Sequence, residues 1–395
     1  MKKTILRVIC LILILAIAFF ITQRIPRVDQ SIDQSKWKTN YTYVFVHGLS
    51  GWGSYDKQYK LMPYWGMFGG DNMKYLNKQS FNCVAASVSP TYSAWDRACE
   101  LYAQLTGTRV DYGEAHSKEM GHDRYGEDYT GRALIDNFSS KDKINLVGHS
   151  FGGATIRLFA ELMANGNEEE IKASGSDVSP LFKGGKADWI YSITTLAAPT
   201  NGTTAYYSEG AVDPEPATGI NKKIEDSLAK AMGKATDEEG TRSEKDYASY
   251  DMLIDNALKM NEKIETLPNV YYFSISCSST KDSGKGYQSV DNDITDMMFR
   301  RSARLIGNHT FTTPGGYVVD DKWLENDGLV NTYSARAPFD APQKDLDKNN
   351  IEKGVWQIFP TFKGDHMSIQ GGLFKTVDVK NYYVDFMCMI NELDK

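Results

Sequence analysis

The chain has 395 residues, 41% of them hydrophobic, enough to bury a large α/β core. Its net charge is −7, with acids and bases interspersed and no long basic block, which argues against a nucleic-acid partner. Cys83, Cys99, Cys277 and Cys388 lack the spacing of a disulfide framework or a Cys-x-x-Cys metal site, so they are expected to be small buried hydrophobes.

In chain order, Lys2, Lys3 and Arg7 precede an apolar run from Val8 to Ile21, followed by polar residues and Pro26. That pattern reads as an export signal, or as a membrane anchor with its basic end inside, over residues 1–29. The protein is therefore expected to be exported, either secreted or tethered to the outer face of the membrane by residues 8–21. Residues 30–40 read as a linker, and residues 41–395 as a single domain.

Strands are expected at Tyr41 to Val46, Cys83 to Val88, Ile144 to Val147, Ile190 to Leu196, Val270 to Ser276 and Val355 to Phe359. Helices are expected at about Asp96 to Leu105, Ala154 to Met163 and Ala248 to Thr266. This alternation predicts a mainly parallel sheet with helices on both faces. Two insertions interrupt it. One, at about 106–131, is rich in His, Asp, Glu and Tyr. The other, at about 203–250, places Ile220, Ile224, Leu228 and Met232 at helical spacing on a charged helix. Such a stripe is ordinarily the packed face of a surface helix; the alternative is a mobile lid whose apolar face covers an active-site cleft in water and turns outward toward lipid.

Between the expected strand at 144–147 and the helix from Ala154 lies Gly148-His149-Ser150-Phe151-Gly152, a Gly-x-Ser-x-Gly motif at a strand-to-helix turn. Small residues two before and two after the serine let the backbone bend sharply and present Ser150 Oγ as a nucleophile. A serine needs a base, and the base an orienting carboxylate, in the chain order Ser, acid, His. Of the two downstream histidines, His366 lies in a loop just past a strand near the chain's end, whereas His309 has no strand immediately before it. Asp327 sits in a turn-like Asn326-Asp327-Gly328, with Asp320 and Asp321 as competitors that position alone barely separates. The oxyanion donors are expected to be the backbone amides of Phe151 and Leu49, with their side chains lining an acyl pocket.

Trp52-Gly53, Tyr64-Trp65-Gly66, the block from Ser93 through Trp95-Asp96-Arg97-Ala98-Cys99-Glu100 to Leu105, Val110-Asp111-Tyr112-Gly113 and Asn326-Asp327-Gly328 resemble the zinc-containing lipases of Gram-positive bacteria, the thermoalkalophilic group and its staphylococcal relatives. The resemblance runs from about Tyr41 to the end and implies an α/β-hydrolase fold. It implies a triad of Ser150, Asp327 and His366. It also implies a structural Zn2+ held by Asp96, His116, His122 and Asp251, with Trp95 shielding the site. Taken alone, His116 and His122 would read as solvated surface residues. The family's calcium site relies on carboxylates just after the triad histidine, where this chain has Met367-Ser368-Ile369-Gln370-Gly371-Gly372, so calcium stands in doubt. The lid region is shorter and more charged, with Thr236 to Asp246 inside it, which weakens the implication of long-chain triglycerides.

The activity so implied is a serine carboxylester hydrolase, in first place a triacylglycerol lipase acting on lipid or ester substrates. A short-chain carboxylesterase or phospholipase with the same triad is the alternative. A metal-dependent hydrolase and a catalytically dead surface binding protein come last.

Overall fold

The computed structural model describes residues 32–208, 211–235 and 242–395. The expected leader at 1–29 lies outside the described residues. Among those described, no helix is long and apolar enough to cross a membrane.

The centre is a sheet of seven strands: β1 (Thr42–Val46), β2 (Cys83–Ala86), β3 (Ile144–His149), β4 (Ile190–Leu196), β5 (Tyr271–Ile275), β6 (Gln343–Asp345) and β7 (Trp356–Ile358). Their spatial order is β6-β7-β5-β4-β3-β1-β2, and every neighbouring pair is parallel. All six expected strands are present. β6 is the addition, a polar Gln-Lys-Asp segment at the sheet edge that no apolar alternation announces.

Every residue of β3 and β4 is buried, as strands covered on both faces require. In β1, Val44 and Val46 join one core while Tyr43 and Phe45 join the other, the period-two alternation of a strand. The helices used below are α1 (Asn72–Lys78), α2 (Ala94–Thr106), α3 (Glu114–Met120), α4 (Gly152–Asn165), α5 (Gly219–Ala235), α6 (Ala248–Asp251), α7 (Ile254–Asn261), α8 (Met297–Ile306) and α9 (Lys380–Asn391). α2 and α4 cover the first face through Leu101, Leu105, Ile156 and Phe159. α1 and α9 cover the second through Leu76, Tyr383 and Met387. Helix α2 starts where Ser93 Oγ accepts from Asp96 N at 3.3 Å and ends on Gly107 in the left-handed region.

The single helix expected over 248–266 is two. Leu253 is extended (φ −62°, ψ 138°), and the Met252 carbonyl accepts from Thr203 N at 3.0 Å, so a helical ladder cannot run through that point. The insertion at 106–131 is a two-stranded hairpin, Arg109–Asp111 with Tyr125–Asp128, enclosing α3. Cys83, Cys99 and Cys277 are buried as expected and Cys388 half-buried; all four are free thiols.

Candidate active site and metal centre

Ser150 closes β3 with φ +54°, a left-handed conformation that costs a non-glycine residue about 1–3 kcal/mol and needs support around it. The support is steric. A Cβ on Gly148 would lie 2.5 Å from the Gly152 carbonyl oxygen, and one on Gly152 would lie 2.2 Å from that of Val46. Ser150 N donates to Leu196 O and Gly153 N donates to Ser150 O, both at 2.9 Å. The turn is thus pinned to β4 on one side and to the first turn of α4 on the other.

His366 follows a short strand segment whose ends are held by Phe362 N to Ser276 O and Gly364 N to Ser278 O. Its amide donates to Asp327 O at 2.8 Å, and its ring Nδ1 donates to Asp327 Oδ2 at 2.9 Å, with both residues buried. Asp327 Oδ1 accepts from Leu329 N at 3.0 Å and Val330 N at 2.8 Å, so its carboxylate is fixed by its own turn. The tautomer this dictates leaves His366 Nε2 unprotonated and free to accept a proton. The competitors are elsewhere: Asp320 caps a surface turn through Lys322 N, Asp321 is exposed, and His309 stacks on Phe311.

The loop after β1 backs directly onto the serine. A Cβ on Gly48 would sit 2.6 Å from Ser150 Cβ and 3.0 Å from its Oγ. The Gly48 carbonyl accepts from His47 Nδ1 at 2.8 Å and from Arg97 Nη1 at 3.5 Å, and Arg97 Nη2 donates to His47 O. Across a trans peptide the N–H points opposite to the C=O, so holding the Gly48 carbonyl turns the Leu49 amide away from Arg97. Burial, with the Arg97 charge adding to it, pushes His47 down to about 3 and keeps it neutral.

One expectation about side chains does not hold. Phe151 is fully buried beneath Arg97, whose guanidinium carbon is 5.0 Å from the ring centre, and packs with Ala94, Ala248 and Met252. It is a floor under the turn, while half-buried Leu49 packs at the edge of the same cluster. His47, Tyr64, Arg97 and His149 were not singled out by the motif, although Tyr64 and Arg97 lie within segments that carry the resemblance and His149 is the motif's x.

A second cluster lies at the start of α2. Asp96, His116, His122 and Asp246 each offer a ligand atom, all within 4.8 Å of one another. His116 Nε2 is 3.1 Å from Asp96 Oδ1 and 3.2 Å from Asp246 Oδ1; His122 Nε2 is 3.2 Å from Asp246 Oδ2. Both carboxylates are fully buried, and His122 Nε2, though close to Asp246, makes no aligned hydrogen bond to it or to any other group. Two imidazoles, two carboxylates and an orphaned nitrogen suit a tetrahedral Zn2+. Trp95 stacks on His116 with ring centres 5.1 Å apart. Arg242 donates to both carboxylates, and Glu170 fixes α3 through the amides of Ala115 and His116.

Asp251 is not in this cluster. Its Oδ2 accepts from Ala94 N at 2.7 Å, a cap on the first turn of α2, and burial pushes its carboxyl up to about 7. The acid that meets the histidines is Asp246, five residues earlier, in a turn formed by Glu244–Asp246 and held by Ser93 Oγ at 2.7 Å. Two aspartates this close in sequence offer no spacing rule to choose between them. The expectation had placed Asp246 in the lid.

A family model described as "Lipase-like, C-terminal domain" matches residues 39–237 and 217–393. Lipase 2 of Staphylococcus aureus is 34% identical over 392 aligned residues, 89% of this chain and 54% of that protein. A lipase of Staphylococcus epidermidis is 33% identical, with 87% and 52% covered. The chain thus spans about half the length of the curated relatives it matches. Among solved structures, EstA from Clostridium botulinum superposes with a TM-score of 0.78 at 30% identity, covering 95% of this chain and 94% of that one. Staphylococcus hyicus lipase does so with 0.74 at 29%, covering 92% and 99%. With the parallel sheet and the strand-to-helix turn, these neighbours make the architecture an α/β-hydrolase fold.

Proposed function

This chain belongs to the lipase-like family that its residues match, and from that membership we propose that it is an exported serine carboxylester hydrolase, a triacylglycerol lipase. The observations that carry the reading are the left-handed Ser150 backed by Gly48 and the buried His366–Asp327 pair. Ser150 Oγ attacks the ester carbonyl while His366 Nε2 takes its proton and passes it to the departing alcohol. Asp327 holds the tautomer and balances the imidazolium. The amides of Leu49 and Phe151 receive the oxyanion, Phe151 N at the entry to α4, where the helix dipole adds to it. Water then releases the fatty acid from the acyl-enzyme.

For the metal centre we propose zinc on Asp96, His116, His122 and Asp246. When bound, it supplies a cross-link between the 106–131 insertion, α2 and the turn at Glu244–Asp246, which is a structural role.

Helix α5 supports a lipid surface as the place of work. One of its acids turns inward, Glu225 meeting Arg304 at 2.6 Å with both side chains buried, while Asp226 meets Arg301 at 2.8 Å on the surface of α8. Its stripe does not pack as expected: Ile220 is 69% exposed and Ile224 36%, with Val212 on the preceding segment at 72%. Leu228 is half-buried, and the Met232 side chain and residues 236–241 lie outside the description. Isoleucines left exposed on this helix favour a lid that meets lipid over a packed surface helix.

The test is the initial rate on tributyrin as its concentration crosses the solubility limit, with Ser150→Ala as control. A Ser150-dependent jump above the limit is expected. Saturation below it replaces the lipase with a short-chain esterase, and a rate indifferent to Ser150 removes the proposal.

A further inference from the structure

A chain of hydrogen bonds beside the triad has no place in the chemistry above. Gly48 N donates to Tyr64 Oη at 3.2 Å, Tyr64 Oη lies 2.6 Å from His149 Nδ1, and His149 Nε2 lies 2.8 Å from the His366 carbonyl oxygen. Tyr64 is 3% exposed and His149 0%, so bulk solvent does not reach either group.

The direction of every bond follows from the far end. A carbonyl only accepts, so His149 Nε2 must carry a proton. Burial first, then the neighbouring His366 and His47, holds His149 well below its ordinary value and keeps the ring neutral. A neutral ring has one proton, so Nδ1 is bare and takes the Tyr64 hydroxyl hydrogen. The phenol oxygen is then left to accept from Gly48.

Gly48 is where this matters. It must be glycine because of the 2.6 Å approach to Ser150 Cβ, and a glycine has no side chain to restrict its own dihedrals. Its orientation has to come from hydrogen bonds at both ends. His47 and Arg97 hold its carbonyl; Tyr64 holds its amide. The carbonyl-side peptide carries the Leu49 N–H, and Tyr64 fixes the peptide before it, so the two holds together set the Gly48 dihedrals between them.

We propose that Tyr64 and His149 are positioning residues that align the oxyanion donor at Leu49 with the base at His366 through one neutral relay. The inference rests on the hydrolase reading above and extends it to two residues that touch no reacting atom. Tyr64 sets the oxyanion end, and His149 sets the backbone from which the imidazole projects.

The test uses Tyr64→Phe, His149→Asn and His149→Gln in the full chain, with steady-state rates on a soluble p-nitrophenyl ester. The low-field proton NMR signal of the His366–Asp327 hydrogen bond is recorded for each, and a thermal melt confirms folding. Asparagine keeps an oxygen for Tyr64 and loses the donor to His366; glutamine keeps that donor. Expected are a fall in kcat of about 10-fold or more for Tyr64→Phe, with KM within about 2-fold and the NMR signal kept. His149→Asn is expected to shift or broaden the signal, and His149→Gln to restore it. Folded Tyr64→Phe and His149→Asn proteins with wild-type kcat and unshifted signals overturn the relay. So does loss of signal in all three variants in step with melting temperature, which marks simple packing. If Ser150→Ala leaves the wild-type rate unchanged, the hydrolase reading fails. The Asn–Gln contrast in the NMR signal then decides alone on the hold over His366: present, it supports the relay; absent, it overturns it.

Discussion

The catalytic turn and the metal corner touch neighbouring residues of one helix, Arg97 and Asp96, yet they are held by different physics. At the catalytic turn, glycines at 48, 148 and 152 admit only one approach of backbone to backbone, and its neutral histidines and amides carry hydrogen bonds between fixed directions. At the metal corner, two buried carboxylates face two histidines and an arginine. The ligands come from α2, from α3, from the loop after it and from a turn far along the chain. Steric sites carry their geometry in a few adjacent residues. Electrostatic sites acquire theirs only when the fold delivers charges that must be compensated.

That contrast is sharpest at Asp327. Asp327→Asn keeps the turn and the shape but reverses the donor logic at His366 Nδ1. The initial rate on a soluble ester should drop about 1,000- to 10,000-fold with the thermal melt little changed. A drop of less than about 10-fold would remove Asp327 from the triad. Next comes the steric frame: Gly152→Ala forces a Cβ to 2.2 Å from Val46 O, and urea unfolding should register a loss of about 3 kcal/mol or more. A mild loss would mean that the turn relaxes and that sterics do not dictate it. On the other side, Asp246→Asn should cost about 100-fold in zinc affinity against a chelating dye, and Asp251→Asn less than about 10-fold. Reversed outcomes would restore Asp251 as the ligand. In the wild type, a chelator should lower the melting temperature before it lowers the rate at 25 °C.

The smallest effect concerns Glu100, one turn along α2 from Asp96. Burial pushes its carboxyl from an ordinary 4.5 up to about 7. The folded chain therefore holds more protons than the unfolded chain across that window, and stability falls as pH rises through it. Glu100→Gln should flatten the decline by a few degrees in melting temperature between about pH 5 and pH 7. An unchanged slope assigns the decline to other groups.

What the sequence made legible follows the same division. The strands read true because β1 and β3 are largely apolar runs and β4 mixes apolar with β-branched residues, and the turn at Ser150 because its glycines are close together in the chain. His366 was legible from chain order and the strand before it. Asp246 was not, since the choice between it and Asp251 depends on which of two nearby carboxylates the α2 N-terminus claims for its own amide. The helix break at Leu253 depends on a hydrogen bond from Thr203, some fifty residues away. The exposure of Ile220 goes with the buried ion pair of Glu225 and Arg304, which sets the Glu225 side of α5 inward. No periodicity within α5 contains that information.

Helix α2 has one more consequence. Of its thirteen residues eleven are buried, and the other two, Trp95 and Thr106, are only partly exposed. Most helices keep a wet side on which substitutions drift freely. This one has none, because a sheet, a metal corner, the oxyanion loop and the α4 helix surround it. Each position answers to a different neighbour, so mutation has almost no silent direction to take. The stretch from Trp95 to Leu105 should thus be the slowest-changing text in the molecule, and a probe built on it should reach distant kin that the rest of the chain no longer identifies.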